Sequence, residues 1–233
     1  MQRRHVFRNP LLVASQLLHG KSLTRALFNL ALRDHSVQGE VLDLGSKTKD
    51  ASYYKFLRSV PGTKIVLTDL RAGEDVRALN VELPFDLPTS SFDIVLAFHL
   101  FEHVFYFQRA PAEIFRILRP GGRALVAVPF LIEYHADPDD YIRLTDSGLI
   151  RWGEHAGLRC IHLEAIGEGL TTAFVTQLPN LLLPRLMRPW TSAFLYLLAT
   201  PFDRLFALRP RVTSRTVPER FALEFFAVFE KPL

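Results

Sequence analysis

The chain has only one cysteine, Cys160, among its 233 residues. A single thiol excludes an intrachain disulfide and a metal centre built from several cysteines, and it is typical of a protein of the reducing cytoplasm. An excess of charge of one sign is also lacking, because 28 Lys and Arg residues balance 24 Asp and Glu residues to a net charge of +4. Hydrophobic content of 48% and aromatic content of 12% exclude a disordered chain and indicate a folded core.

Long hydrophobic runs are missing as well. The most apolar stretch, TSAFLYLLATPF at 191–202, is much shorter than the roughly 20 residues that cross a bilayer. The N-terminal apolar run LLVASQLL is interrupted by Ser15 and Gln16. We therefore interpret the first residues as a basic amphipathic helix and not as a signal peptide.

Apolar runs alternate with helical patterns through the middle of the chain, which predicts an α/β, Rossmann-like doubly wound sheet with helices on both faces. Residues 1–38 are predicted to form an N-terminal helical cap, and residues 170–211 a hydrophobic helical insertion. Residues 39–169 and 212–233 form the predicted core. Within it we expect strands over 40–44, 64–69, 92–98, 123–129, 158–167 and 221–230, a short strand near 78–81, and helices over 50–59, 112–118 and 146–156.

Two acids and a glycine end the first two strands of this pattern. Asp43 and Gly45 close the run VLDLG, and Asp69 closes the run IVLTDL. An acid that follows a glycine turn by about 20 residues is placed to hold a ribose diol at the carboxyl edge of a parallel sheet. The spacing indicates a cofactor that contains adenosine.

Four motifs follow one another through this region: VLDLG, VLTDL, LPFDLPTSSFDIVLAFHLFEHV and ILRPGGRALVAVPF. In order and spacing the chain resembles the class I S-adenosylmethionine-dependent methyltransferases, in particular the small-molecule, methyltransferase type 11-like branch. The resemblance implies a seven-stranded sheet with an antiparallel last strand. It also implies S-adenosylmethionine as cofactor, held by Asp43, Gly45 and Asp69, with Asn80 on the adenine side.

The glycine loop departs from the family pattern, because lysines stand where the second and third glycines are usual. Lys47 and Lys49 crowd the approach to the cofactor, or alternatively hold its carboxylate. This departure motivates a second hypothesis, a methyltransferase-fold protein that has lost catalysis and acts as a binding or membrane-associated partner. A nicotinamide cofactor is disfavoured, because Asp50 would face its pyrophosphate.

The segment 129–145 leaves the carboxyl end of a strand, where such sheets place substrates. Within it, His135 is the candidate general base or substrate-orienting group, and Tyr141 is grouped with it as catalytic. Arg143 is expected to bind substrate. A solvated acidic loop is the competing interpretation.

Two further candidates follow the strand at 92–98. His99 points toward the same crevice and is expected near the cofactor, while Glu102 is expected at the substrate or cofactor edge. His103 is interpreted as structural. No metal is predicted, because no second histidine stands near His135 in the sequence.

The 170–211 segment is expected to be a lid, a homodimer surface or a patch that lies on anionic lipid at the inner face of the membrane. Its charge supports the last option, since residues 170–220 carry Arg185, Arg188, Arg204, Arg209, Arg211, Arg215 and Arg220 against Asp203 and Glu219. The predicted function is methyl transfer to a small molecule, glycan or lipid-linked acceptor, first at oxygen and next at nitrogen. Nucleic acid is not expected, because no Asn/Asp-Pro-Pro-aromatic motif follows the strand at 92–98 and the basic residues are not interleaved with a stacking platform.

Overall fold

A mixed sheet of eight strands organises the computed structural model, which describes residues 1–48, 50–208 and 216–233. The strand order is β1-β9-β10-β8-β7-β3-β5-β6, and β2 and β4 pair separately. Lys49 of the predicted loop and Arg209, Arg211 and Arg215 of the predicted basic segment lie outside the described residues. The strands are β1 (Gln2–His5), β2 (Ser36–Val37), β3 (Glu40–Leu44), β4 (Arg58–Ser59), β5 (Lys64–Asp69), β6 (Val76–Ala78), β7 (Phe92–Phe98), β8 (Leu118–Pro129), β9 (Arg159–Ile166) and β10 (Glu224–Glu230).

The α/β class and the antiparallel last strand are confirmed. β10 runs antiparallel to both β8 and β9, whereas β3 pairs in parallel with β5 and β7. The α-helices are α1 (Pro10–Leu18), α2 (Leu23–Leu32), α3 (Ala110–Ile117), α4 (Asp146–Glu154), α5 (Leu170–Val175), α6 (Leu178–Leu182), α7 (Arg188–Ala207) and α8 (Val217–Arg220).

An eighth strand corrects the prediction of seven. β1 lies at the sheet edge, in parallel with β9, so the chain enters as a strand and becomes helical only at Pro10. Its basic side chains are held by acids. Arg4 pairs with Asp34 at 2.8 Å, and Arg8 pairs with the buried carboxylate of Glu164. Arg4 also lies 3.5 Å from Glu164, so two arginines in or just after β1 tie the edge strand to a buried acid of β9.

The helix predicted over 50–59 is also wrong. A single 3-10 turn at Ser52–Lys55 replaces it, and β4 follows. The physical reason is that the hydroxyls of both Tyr53 and Tyr54 reach the carboxylate of Asp43. Successive side chains of an α-helix diverge by about 100°, which would direct these neighbours to different targets.

In the helical segment after β9, the buried residues of α7 are small or polar: Ala193, Tyr196, Ala199, Thr200 and Asp203. The hydroxyl of Tyr196 donates to the buried Glu168 at 3.1 Å. The carboxylate of Asp203 accepts from the amides of Thr171 at 2.9 Å and Thr172 at 2.7 Å, which caps α5. Large apolar side chains are therefore left on the outer side of α7. Across the residues described, none of the helices is both long enough and apolar enough to cross a bilayer.

Candidate functional site

The predicted cofactor residues lie on neighbouring strand ends. Leu44 is in register with Thr68, so Gly45 and Asp69 come next on adjacent strands. Asp69 is in turn in register with Ala78, two residues before Asn80. Because adjacent strands are about 4.8 Å apart, all three residues share one short stretch of the carboxyl edge.

Asp43 is buried and already satisfied. It is 1% exposed and accepts hydrogen bonds from Tyr53 at 2.6 Å and from Tyr54. Burial raises the pKa of its carboxyl to about 6, although the tyrosine hydroxyls act in the opposite direction. In this conformation the carboxylate of Asp43 is bound to the two tyrosines that follow the glycine loop. Its direct contact with cofactor remains a prediction.

Gly45 occupies a position that only glycine fits well. Its φ is +78°, and a Cβ there would lie 2.8 Å from Cδ1 of Leu100. Two residues on, the ammonium of Lys47 lies 2.6 Å from the carboxylate of Asp137, which joins the glycine loop to the acidic loop. Both partners are exposed, so this ion pair can open at little cost.

Asp69 keeps its carboxylate available. The residue is partly buried, its carbonyl accepts from the amide of Leu79 at 2.8 Å, and its side chain makes no hydrogen bond within the described residues. The side-chain oxygen of Asn80 accepts from the amide of Glu82 at 2.9 Å, which leaves the NH₂ group for a ligand. An acid followed by an amide donor suits a ribose and an adenine.

A cavity of about 680 Å³ is bordered by His99, at the end of β7, and Gly45, Asp69 and Asn80 are not among its lining residues. Its walls come from the α1–α2 connection, the loop after β8 and helices α5 to α7. His99, His103 and His135 line it together with Arg185 and Arg188, and the carboxylates of Glu133 and Asp137 line it as well. Its size suits a small molecule or the head of a larger one.

Three of the residues near this cavity form a tight group that we call the imidazole cluster: Glu102, His103 and His135. The Nε2 atoms of His103 and His135 lie 3.8 and 3.7 Å from Oε1 of Glu102. Glu102 is 1% exposed, and neither of its carboxylate oxygens has a hydrogen-bond partner. The neighbouring carboxylate of Glu102 raises the pKa of His135 above its usual value.

His99 is held by an acid from the last strand. Its Nε2 is hydrogen-bonded to the carboxylate of Glu224, which is fully buried at the start of β10. The residue has a φ of +52°, and its ring packs edge-on against Phe28. His99 therefore borders the cavity in a fixed orientation.

Tyr141 and Arg143 are engaged by their own loop. The hydroxyl of Tyr141 donates to Asp139 at 2.9 Å, and Tyr141 is not among the residues that line the cavity. The guanidinium of Arg143 makes a two-pronged contact with Asp140 and lowers the pKa of that carboxyl. The catalytic role of Tyr141 and the substrate role of Arg143 remain predictions, and the observed contacts give both residues the task of shaping the loop.

Sequence reasoning missed three members of the site. His103 was interpreted as structural, although its side chain reaches the cavity. Tyr53 and Glu224 were not singled out, and they hold Asp43 and His99. Two signals in the sequence could have identified them: a tyrosine pair soon after a glycine loop, and an acid within an otherwise apolar last strand.

Comparison with known proteins agrees with this geometry. Residues 62–126 match a family described as "Methyltransferase domain". A protein of Mycolicibacterium smegmatis named "probable S-adenosylmethionine-dependent methyltransferase" is 41% identical over 66 residues, which cover 28% of this chain and 25% of the relative. The chain thus matches about a quarter of the length of that curated relative.

Two solved structures share the fold. The 4+2 cyclase SpnF superposes with a TM-score of 0.57 and 15% identity, covering 95% of this chain and 93% of that one. Phosphoethanolamine N-methyltransferase 2 of Haemonchus contortus, solved with S-adenosyl-L-methionine, gives a TM-score of 0.51 and 14% identity over 88% of this chain and 52% of that one. The matched segment is thus similar to S-adenosylmethionine-dependent methyltransferases, and the whole chain shares the fold of the two solved structures.

Proposed function

We propose that the chain binds S-adenosylmethionine along the edge formed by Gly45, Asp69 and Asn80 and transfers its methyl group to an acceptor in the adjoining cavity. The observation that carries the proposal is the available carboxylate of Asp69, one strand from a glycine with a φ of +78°. A carboxylate so placed can accept both ribose hydroxyls, and the glycine turn leaves the backbone open to the ligand.

Calorimetry with S-adenosylmethionine and S-adenosylhomocysteine tests the cofactor site. We expect Asp69→Ala to weaken both affinities by roughly tenfold or more, because a hydrogen-bonded charged partner is lost. Glu74→Gln is the matched control, since it removes an exposed acid from the next loop. If Asp69→Ala and the control bind S-adenosylmethionine with equal affinity, Asp69 does not contact the cofactor.

The acceptor belongs in the large cavity, and an oxygen nucleophile suits its lining. Methyl transfer is a displacement at carbon, so the protein must mainly align the acceptor with the sulfonium methyl. A hydroxyl acceptor also loses a proton, and His135 is the cavity imidazole that lies nearest an available carboxylate, Glu102. Nitrogen acceptors are the next choice.

An amphipathic acceptor is supported by the outer side of the helical segment. Arg185 and Arg188 line the cavity, and the surface beside them is strongly apolar. This arrangement would bind an anionic or sugar head group in the cavity while a lipid tail or bilayer surface meets the helices. We call this surface the apolar face; its members include Leu181, Leu186, Trp190, Phe194, Leu198, Phe202 and Leu205, each more than half exposed.

Sedimentation with liposomes that contain anionic lipid tests this part of the proposal. Trp190→Ser and Phe194→Ser, alone and combined, should reduce the bound fraction, whereas Leu83→Ser changes an exposed apolar residue far away in the chain and should not. Absence of binding by the wild type, or an equal loss in the control, would leave a lid or a homodimer contact as the role of the apolar face.

A binding protein without methyl transfer is the second candidate. Two observations favour it: the carboxylate of Asp43 is already bound by a tyrosine hydroxyl, and a lysine stands at position 47 of the glycine loop. Folded wild-type protein that fails to bind either cofactor form would support this candidate, whereas transfer of a labelled methyl group to any acceptor would exclude it.

A further inference from the structure

The imidazole cluster contains a buried carboxylate that the protein leaves without a hydrogen-bond donor. Both oxygens of Glu102 are inaccessible and lack a hydrogen-bond donor. The nearest candidate donors, the Nε2 atoms of His103 and His135, stand 3.8 and 3.7 Å away, too far for hydrogen bonds. A buried carboxylate that lacks a donor is unfavourable, so its retention points to a ligand that completes it.

The protonation of both rings is determined by their other nitrogen. Nδ1 of His103 is 2.6 Å from the carbonyl oxygen of Asp139, and Nδ1 of His135 is 3.1 Å from that of Glu133. A carbonyl oxygen only accepts, so each Nδ1 carries the proton and donates it. In the neutral rings both Nε2 lone pairs therefore face Glu102. Such carbonyl contacts are the usual means by which proteins orient histidine ligands.

We propose that Glu102, His103 and His135 bind a divalent first-row transition-metal ion. The candidate ligand atoms all lie within 4.8 Å of one another. Metal bonds of about 2.0–2.2 Å separate neighbouring ligands by roughly 3.0–3.5 Å, so binding an ion would draw each imidazole several tenths of an ångström toward Glu102 and the most distant pair of ligand atoms together by about one ångström. Two imidazoles and one carboxylate select a transition ion over Mg²⁺ or Ca²⁺, which prefer oxygen ligands.

Three protein ligands leave coordination positions open. His103 and His135 line the large cavity, so an open position faces the space assigned to the acceptor. In so far as the proposed methyl transfer holds, the ion would bind an acceptor hydroxyl and lower its pKa, so that its proton would pass to solvent water, and His135 would act as a ligand and not as the base.

Titration of the full-length protein with Co²⁺, followed by visible absorption and by calorimetry with Zn²⁺, tests the site without any need for activity. We expect one ion per chain, and an affinity that falls roughly tenfold or more in Glu102→Gln and in His135→Asn. Asp137→Asn is the matched control, because Asp137 is a carboxylate of the same cavity outside the cluster. Its affinity should remain close to that of the wild type.

Because the side chain of His135 is partly exposed, we expect His135→Asn to fold. It therefore tests the site even if Glu102→Gln fails to fold. No binding by folded wild type, or binding that His135→Asn leaves unchanged, would overturn the proposal. The result is also independent of the cofactor experiment, because Asp69→Ala should retain the metal, and a protein that binds no S-adenosylmethionine can still bind the ion.

Discussion

The hydroxyl group of Tyr53 donates a hydrogen bond of 2.6 Å to the carboxylate of Asp43. The same hydroxyl lies 3.1 Å from Oγ of Ser46, so one tyrosine joins the end of β3 to the loop that follows Gly45. Tyr54 contacts Asp43 as well. The acid that the family pattern assigns to the cofactor thus shapes the loop on which the cofactor would rest.

Asp43→Asn should change how stability depends on pH. Burial raises the pKa of Asp43 from 3.8 to about 6, so the folded protein binds more protons than the unfolded chain between these values. Stability therefore falls as pH rises through that window, by up to about 3 kcal/mol. Chemical unfolding at pH 4 and pH 7 should show this loss in the wild type, beyond the loss in Asp43→Asn.

The asparagine keeps an acceptor for both tyrosine hydroxyls, so the comparison isolates the charge. Tyr53→Phe is the complementary variant, because it leaves the carboxylate with one hydroxyl donor fewer and should raise the pKa of Asp43 further. Parallel stability curves for wild type and Asp43→Asn would contradict the assignment of a raised pKa to this residue.

Gly45→Ala should destabilise the protein more than Gly62→Ala does. Both glycines have positive φ, +78° and +88°, and share the cost of about 1 kcal/mol for placing alanine there. Only at Gly45 would the new methyl lie 2.8 Å from Leu100, whereas Gly62 has open space. The midpoint of urea unfolding measures the difference; equal losses would mean that Leu100 moves freely aside.

The sheet could be predicted because its signal is local. Continuous apolar runs produced β5 and β7 with the expected bounds, and Thr145 caps α4 as predicted. The failures have non-local causes. β1 depends on an ion pair between Arg8 and Glu164, and the missing helix depends on tyrosine contacts to Asp43. Neither contact leaves a periodic pattern in the sequence.

The position of Asp69 could be predicted for the same reason, because it ends a strand that the sequence reveals, while its role in cofactor binding stays a prediction. The imidazole cluster could not be predicted, because His135 lies a full crossover away from Glu102 and His103 along the chain. Their meeting depends on the amide of Tyr141, which donates to the carbonyl of Glu102 at 2.7 Å and folds the loop back.

Lys47→Gln should leave the folded state nearly as stable as before. The Lys47–Asp137 pair is exposed on both sides, at 61% and 59%, so solvent screens it and the expected loss is under about 1 kcal/mol. A double-mutant cycle with Asp137→Asn, at low and high salt, measures the coupling. If calorimetry finds that Lys47→Gln weakens cofactor binding far more than Asp137→Asn, the lysine contacts the cofactor and not only the loop.

Tyr196→Phe should loosen the attachment of α7 to the core. The hydroxyl of Tyr196 is the donor nearest to the fully buried Glu168, whose pKa is raised by burial. Removing it leaves a buried carboxylate less satisfied, at an expected cost of about 1–3 kcal/mol in the free energy of unfolding. Tyr134→Phe, at a residue 71% exposed, should cost almost nothing. Hydrogen exchange locates the effect: faster exchange confined to α5 and α7 is the expected pattern, because Asp203 on α7 also caps α5. Uniformly faster exchange would mean that the helical segment unfolds together with the sheet and is not a separately anchored unit.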